Sequence, residues 1–247
     1  MCHQNVIGAA NSPERTPFPM RILPSLCSAV ALAAVLFAPV AARADTDTQG
    51  WGTLLVTAKA GKNWRLSNET ILRTGNARGF YELENNFMVG YNLDKTFTVW
   101  LGYTHDPNYL HGDFAVMERR FRQQVSFDNF AHLGPVRFNG RMRLEQRWRD
   151  NMPGTAWRLR PFLKASLPVA QGSKVMIVAS HESFIDLNKT VFQTVNGEER
   201  MRNFIGINAP IAKKLTIEAG YLNQHGVRPG KLDTSDHVAS VALNIAL

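Results

Sequence analysis

Three groups of side chains in this 247-residue chain have types and spacings that could do chemistry. His181 and Ser183 stand two apart, which on an extended strand puts an imidazole beside a hydroxyl on one face. A serine next to such a base is set up for acyl transfer, the imidazole taking the hydroxyl proton. The run His105 to Asp113 gathers two histidines and two aspartates. Their spacing matches no metal-ligand pattern, so no metal and no other cofactor is expected. The third group is the largest. Arg137, Asn139, Arg141, Arg143, Glu145, Arg147 and Arg149 occupy alternate positions of one segment. Planar guanidinium groups at that density call for carboxylate partners and charge-assisted hydrogen bonds.

The elements that position these groups follow from the same alternation. Between the charges just named sit Val136, Phe138, Gly140, Met142, Leu144, Gln146 and Trp148. A helix would scatter the two sets around its circumference, whereas a strand gives each its own face. The split recurs along the chain. Leu66 and Leu72 oppose Arg65, Glu69 and Arg73; Tyr81, Leu83 and Phe87 oppose Glu82, Glu84 and Asn86; Trp157, Leu159 and Leu163 oppose Arg158, Arg160 and Lys164. The last segment alternates from Ala239 to Leu247. Eleven candidate strands result. Short links such as 61–63 and 92–94 are expected to alternate with longer loops at 74–79, 105–113, 150–154, 186–196 and 224–236. A composition of 45% hydrophobic and 19% charged residues, with a mean hydropathy of −0.20, excludes a bundle of membrane helices and a disordered chain alike.

Residues 20 to 44 read as an address. Met20 and Arg21 give a positive start, Ala29 to Ala38 are unbroken apolar, and Ala42-Arg43-Ala44 is a small-x-small cleavage signal. The expected division is therefore 1–44, an upstream extension and signal peptide cleaved between Ala44 and Asp45, and 45–247, a barrel domain. The first part carries both cysteines, Cys2 and Cys27, so the exported chain has no disulfide framework. It also carries Arg15, Arg21, Arg43 and Glu14, which leaves 25 basic and 19 acidic residues, a net +6, from the 28 and 20 of the whole chain.

Export, period-two alternation and strands of about 10 residues match an antiparallel transmembrane β-barrel of about 10–12 strands with a charged lumen. Lysines 59, 62, 95, 174, 213 and 214 fall in or beside the short turns, while arginines dominate the polar strand faces. Lysine suits a solvated rim and arginine a crowded interior. Trp51, Trp64, Tyr91, Tyr103, Trp148, Trp157 and Tyr221 lie near strand ends, where interface girdles belong. Ten strands give the expected polarity, which leaves Trp51 to Lys59 as a surplus segment: an irregular closing strand, a strand for a partner, or a lumen insert.

The ordered series Trp64, Glu69, Arg73, Gly102-Tyr103, Glu118 to Gln124, Arg141 to Arg147, Arg158-Leu159-Arg160, Glu182, Gly206 and Gly220 to Gln224 resembles a family of small Gram-negative outer-membrane barrels of uncharacterised role, the domain of unknown function numbered twenty-four ninety. The resemblance spans nearly all of the exported chain. It implies a barrel in the outer membrane and brings no activity with it.

The expected lumen network comprises Glu69, Glu118, Arg120, Arg122, Arg141, Arg143, Glu145, Arg147, Arg158, Arg160, Glu182, Arg202 and Glu218, with Glu82, Glu84, Arg137 and Arg200 on the same faces. Such a network is expected to plug and stiffen the barrel or to line a narrow anion passage. A non-catalytic role is expected ahead of the alternative, a phospholipase-like hydrolase facing the membrane through His181 and Ser183. Outer-membrane phospholipases use such a pair; the Asn-Gly that would be expected to follow is missing here. The partners expected are outer-membrane lipid, lipopolysaccharide and the barrel-assembly machinery acting on the C-terminal strand. Inward arginines in an exported chain argue against nucleic acid.

Overall fold

A computed structural model describes residues 44–247, and within them every element is a strand. In chain order these are β1 Ala44–Lys59, β2 Trp64–Gly75, β3 Gly79–Asn92, β4 Phe97–Leu110, β5 Asp113–Leu133 and β6 Val136–Arg149. There follow β7 Met152–Pro168, β8 Met176–Asp186, β9 Gly197–Ala212, β10 Leu215–Gly226 and β11 Asp233–Ala246. Each strand pairs antiparallel with its sequence neighbours, and the sheet closes on itself. Ten hairpins reverse the chain ten times, so β11 runs in the same direction as β1. The two pair in parallel, in unbroken register from Ala44↔Asp233 to Thr57↔Ala246. The surplus segment is thus the closing strand.

The two faces of the ring differ in kind. Leu72, Leu101, Leu163 and Ile207 point away from the barrel, with Leu101 56% exposed. Glu118, Arg122 and Glu145 point inward and are 0% exposed. A barrel that folds in water has the opposite sense, apolar within and charged without. The lumen is not charged throughout, however. Met176, Val178 and Phe204, with Leu222 against them, form an apolar pad on β8, β9 and β10. Space for such filling comes partly from glycine: a Cβ on Gly90 would stand 2.4 Å from the Trp100 ring lying across it.

Several expectations change. The segment 105–113 is no loop: β4 continues to Leu110 and β5 starts at Asp113, so Asp106 is a lumen residue. Its alternation is hidden in the sequence because Pro107 and the polar run around it read as a turn. Positions 150–151 are likewise a tight turn, with Asn151 at φ 61°. Loop lengths alternate less than expected, since 169–175 is long on the end where short turns were expected. Trp51 is no girdle residue. It lies in the lumen at 7% exposure, because the closing strand turns its odd-numbered positions inward beside Gln49. The signal-peptide reading falls on 1–44, of which all but Ala44 lie outside the described residues.

Parallel closure is testable by cross-linking. Thr53 and Ala242 are register partners on the lumen face. With Cys2 and Cys27 replaced by serine, the pair Thr53→Cys and Ala242→Cys should oxidise to a disulfide, since paired strands stand about 4.8 Å apart. The pair Thr53→Cys and Val241→Cys, on opposite faces, should remain free thiols. Peptide mapping under non-reducing conditions reads both.

Candidate functional site: a guanidinium and carboxylate lumen

Strands β3 and β5 to β8 deliver the charged side chains, and their register decides who meets whom. Glu145 on β6 is paired with Arg122 on β5 and with Arg158 on β7. Its oxygens stand 3.0 Å from Arg122 Nε, 2.7 Å from Arg158 Nη2 and 2.8 Å from Arg160 Nη1. Arg120 and Arg147 are also register partners, and like charges directly opposite repel. Glu118 resolves this by accepting from both, Arg120 Nε at 2.6 Å and Arg147 Nε at 2.8 Å, and from Arg149 Nη2 at 2.6 Å. Glu84 takes Arg122 at 2.6 Å and Arg120 at 3.0 Å. Glu182 takes Arg141 at 2.7 Å and Arg160 at 3.0 Å. Each of these glutamates thus serves two or three guanidinium groups.

The remaining expected lumen residues are placed more singly. Glu69 accepts from Asn86 at 3.0 Å, and Glu218 pairs with Lys164. Among the described residues, Arg137 reaches only the Met176 sulfur. Arg200 pairs with its neighbour Glu199 at 2.8 Å. Arg143 is 5% exposed and its hydrogen bond runs to neutral Gln124 at 2.8 Å. Arg202 likewise donates to a neutral amide, Gln224 on β10, at 2.9 Å. Its guanidinium lies between two rings, 4.6 Å from the centroid of Trp51 and 4.6 Å from that of Phe184. Phe184 also faces Arg158, Arg160 and Arg200, so its ring adds cation–π contacts to guanidinium groups already paired with carboxylates.

Sequence reasoning left out Arg73, Asp106 and Asp186 from the network. Arg73 pairs with Glu82 at 2.5 Å, and its place on the polar face of β2 was the available signal. Asp106 pairs with Arg120. Glu82, Glu84 and Asp106 come close enough to resemble a metal cage, but Arg73, Arg120 and Arg122 already neutralise them. Gln193, from the β8–β9 connection, folds into the mouth and accepts from Arg147 at 3.0 Å. Nothing in its local sequence marks it.

Above the network lies a cavity of about 520 Å³. Among the described residues, eleven basic side chains and five carboxylates line it, along with Trp51, Tyr81 and Phe184. The connections 187–196 and 227–232 supply its rim through Phe192 to Val195 and through Arg228 to Lys231, proline and valine included. Arg141 and Arg143 are not among its walls. His181 and Ser183 are elsewhere, on the outer face of β8, hydrogen-bonded to each other at 3.0 Å.

The family model described as "Protein of unknown function (DUF2490)" matches residues 48–235. The chain belongs to that family. It is also similar to an uncharacterised protein of Methylorubrum extorquens, 31% identical over 156 residues, which are 63% of this chain and 68% of that protein. No solved structure matches. The family match covers the charged strands β2 to β10 in full, so the ion-pair network just described lies within the matched region.

The network predicts unequal mutational costs. Glu118→Ala strands three guanidinium groups and should destabilise the barrel by about 3–5 kcal/mol. Arg143→Met forfeits one bond to a neutral amide and removes a buried cation without a carboxylate, so it should cost less than about 1 kcal/mol or stabilise. Urea unfolding of the detergent-folded barrel, followed by tryptophan fluorescence, measures both.

Proposed function

We propose that this protein is an outer-membrane β-barrel whose basic vestibule binds small anions, above a floor of ion pairs that blocks bulk flow. The observation that carries the reading is the inverted sidedness: an apolar outer wall around a charged, solvent-excluding lumen. Hydrocarbon accepts only structures whose backbone groups are all paired, and a closed ring of strands meets that condition. The proposed lipid contacts are the outward leucines, isoleucines and aromatics, with lipopolysaccharide against the rim. The C-terminal strand β11, one side of the parallel seam, is the proposed contact for barrel assembly.

The excess of cations at the vestibule supports anion capture. Arginines there exceed the carboxylates available, and low-dielectric walls focus the field of the surplus. Arg202 stands opposite Glu182, but that carboxylate accepts from Arg141 and Arg160, and among the described residues none forms an ion pair with Arg202, so its charge is only partly compensated within the cavity. Beneath, Glu118, Arg122 and Glu145 are wholly buried, and this favours a filled lumen over a water-wide path.

Inorganic phosphate should bind the folded barrel measurably by calorimetry. The double variant Arg200→Gln, Arg202→Gln should weaken that binding by about tenfold or more, the loss expected of roughly 1.4 kcal/mol. Planar bilayers holding the protein should show no steady open-pore current. Equal phosphate affinity in the variant, or a conductance typical of an open pore, would overturn this function.

A further inference from the structure

The outer wall is apolar over most of its surface, but on β8 and β9 it carries three polar side chains bonded to one another. Ile177 and Ala179 precede His181 and Ser183 on the outward face of β8. On β9, Asn203 is followed at its next outward positions by Ile205 and Ile207, 47% and 53% exposed. The register pairs His181 with Asn203. His181 Nδ1 stands 2.7 Å from Asn203 Oδ1, and His181 Nε2 stands 3.0 Å from Ser183 Oγ. A carboxamide oxygen only accepts, so Nδ1 carries the imidazole proton. Nε2 is then bare and accepts the Ser183 hydroxyl. This is the tautomer that a nucleophilic serine needs.

We propose that Ser183, His181 and Asn203 form a lipid-facing catalytic centre that hydrolyses the carboxylic esters of membrane glycerophospholipids. The proposal rests on the outer wall facing lipid, the reading given under Proposed function, and is independent of the vestibule. Polar groups on a lipid-exposed surface are costly and mark function by default. Leu163, the register partner of His181, is 46% exposed and with Ile205 offers an apolar bed for an acyl chain. The polar row continues across the wall through Asn223 and His237, register partners in turn of Asn203 and of each other. Tyr221 Oη lies 2.7 Å from His237 Nδ1. That row is the counterpart for an ester and headgroup lying over the barrel. Beside Ser183 the β7–β8 ladder is interrupted between Leu159↔Ile185 and Phe162↔Glu182, at Pro161, which has no N–H to give.

The reaction balances with water as the only co-reactant. Ser183 Oγ attacks the ester carbonyl carbon while Nε2 takes the hydroxyl proton. The tetrahedral adduct collapses, the bond to the glycerol oxygen breaks, and that oxygen leaves with the proton from Nε2 as lysophospholipid. Water then attacks the acyl-serine, gives its proton to Nε2, and the fatty acid departs as Ser183 recovers its hydrogen. Asn203 touches no reacting atom. It is a positioning residue that holds the ring and its tautomer.

The full chain is folded into detergent micelles mixed with a diacyl phosphatidylethanolamine, and released fatty acid is measured. In parallel, the protein is treated with a fluorophosphonate and the adduct mapped by mass spectrometry. The expected results are ester hydrolysis and an adduct on Ser183, with Ser183→Ala unlabelled and slower by at least about 100-fold. Asn203→Ala should slow the reaction and displace its pH profile, and Asn203→Asp should restore both. Gel mobility before and after boiling confirms that each variant is a folded barrel, with Ser183→Thr as a second variant at the nucleophile. A folded barrel without hydrolysis, or one whose rate survives Ser183→Ala, overturns the proposal. Flotation with lipid vesicles reads the membrane placement separately, so a failure there is distinguishable from a failure of catalysis.

Discussion

Sharing of a few buried carboxylates among many guanidinium groups is the interaction on which the rest of this molecule depends. Glu84, Glu118, Glu145 and Glu182 each hold at least two arginines within 3.0 Å. A buried pair seldom gains much over an apolar one, because desolvation offsets the attraction. The balance differs when the outer face must be apolar and the inner face must fill a ring of this width. The lumen side chains then have to be long, and their donors and acceptors have to satisfy one another.

The arithmetic of strand number shapes the rest. An odd count places the start of β1 and the end of β11 at opposite rims and forces one parallel seam. Parallel pairing is slightly weaker per residue, and the β1–β11 seam compensates by running over its whole length without a register shift. It also brings Trp51 into the lumen, where its indole donates to Tyr81 at 2.9 Å and its ring meets Arg73 and Arg202. The closing strand thereby becomes part of the vestibule wall.

The two proposed sites divide the barrel into an inner and an outer chemistry. Inside, surplus positive charge sits in a small enclosed space, a setting for an anion and not for a nucleophile. Outside, a bonded serine, histidine and asparagine stand on the apolar wall, which under the proposed membrane placement faces lipid esters. Both depend on the same alternation, since successive residues of β8 send Glu182 inward to Arg160 and Ser183 outward to His181.

Much of this was legible in the chain itself. Period-two alternation determined the strands and their polar and apolar faces, because adjacent side chains of a strand cannot share a side. Arg141, Arg143 and Glu145 could be assigned to one face, and His181 and Ser183 to another, from spacing alone. Relations between strands were not legible. The pairing of β1 with β11 links residues almost two hundred positions apart, and Asn203 reaches His181 only through the β8–β9 register. Asp106 was hidden by a proline and polar neighbours that read as a turn until β4 and β5 paired around it. Local sequence fixes which way a side chain points; closure of the ring and the register of its strands decide what it meets.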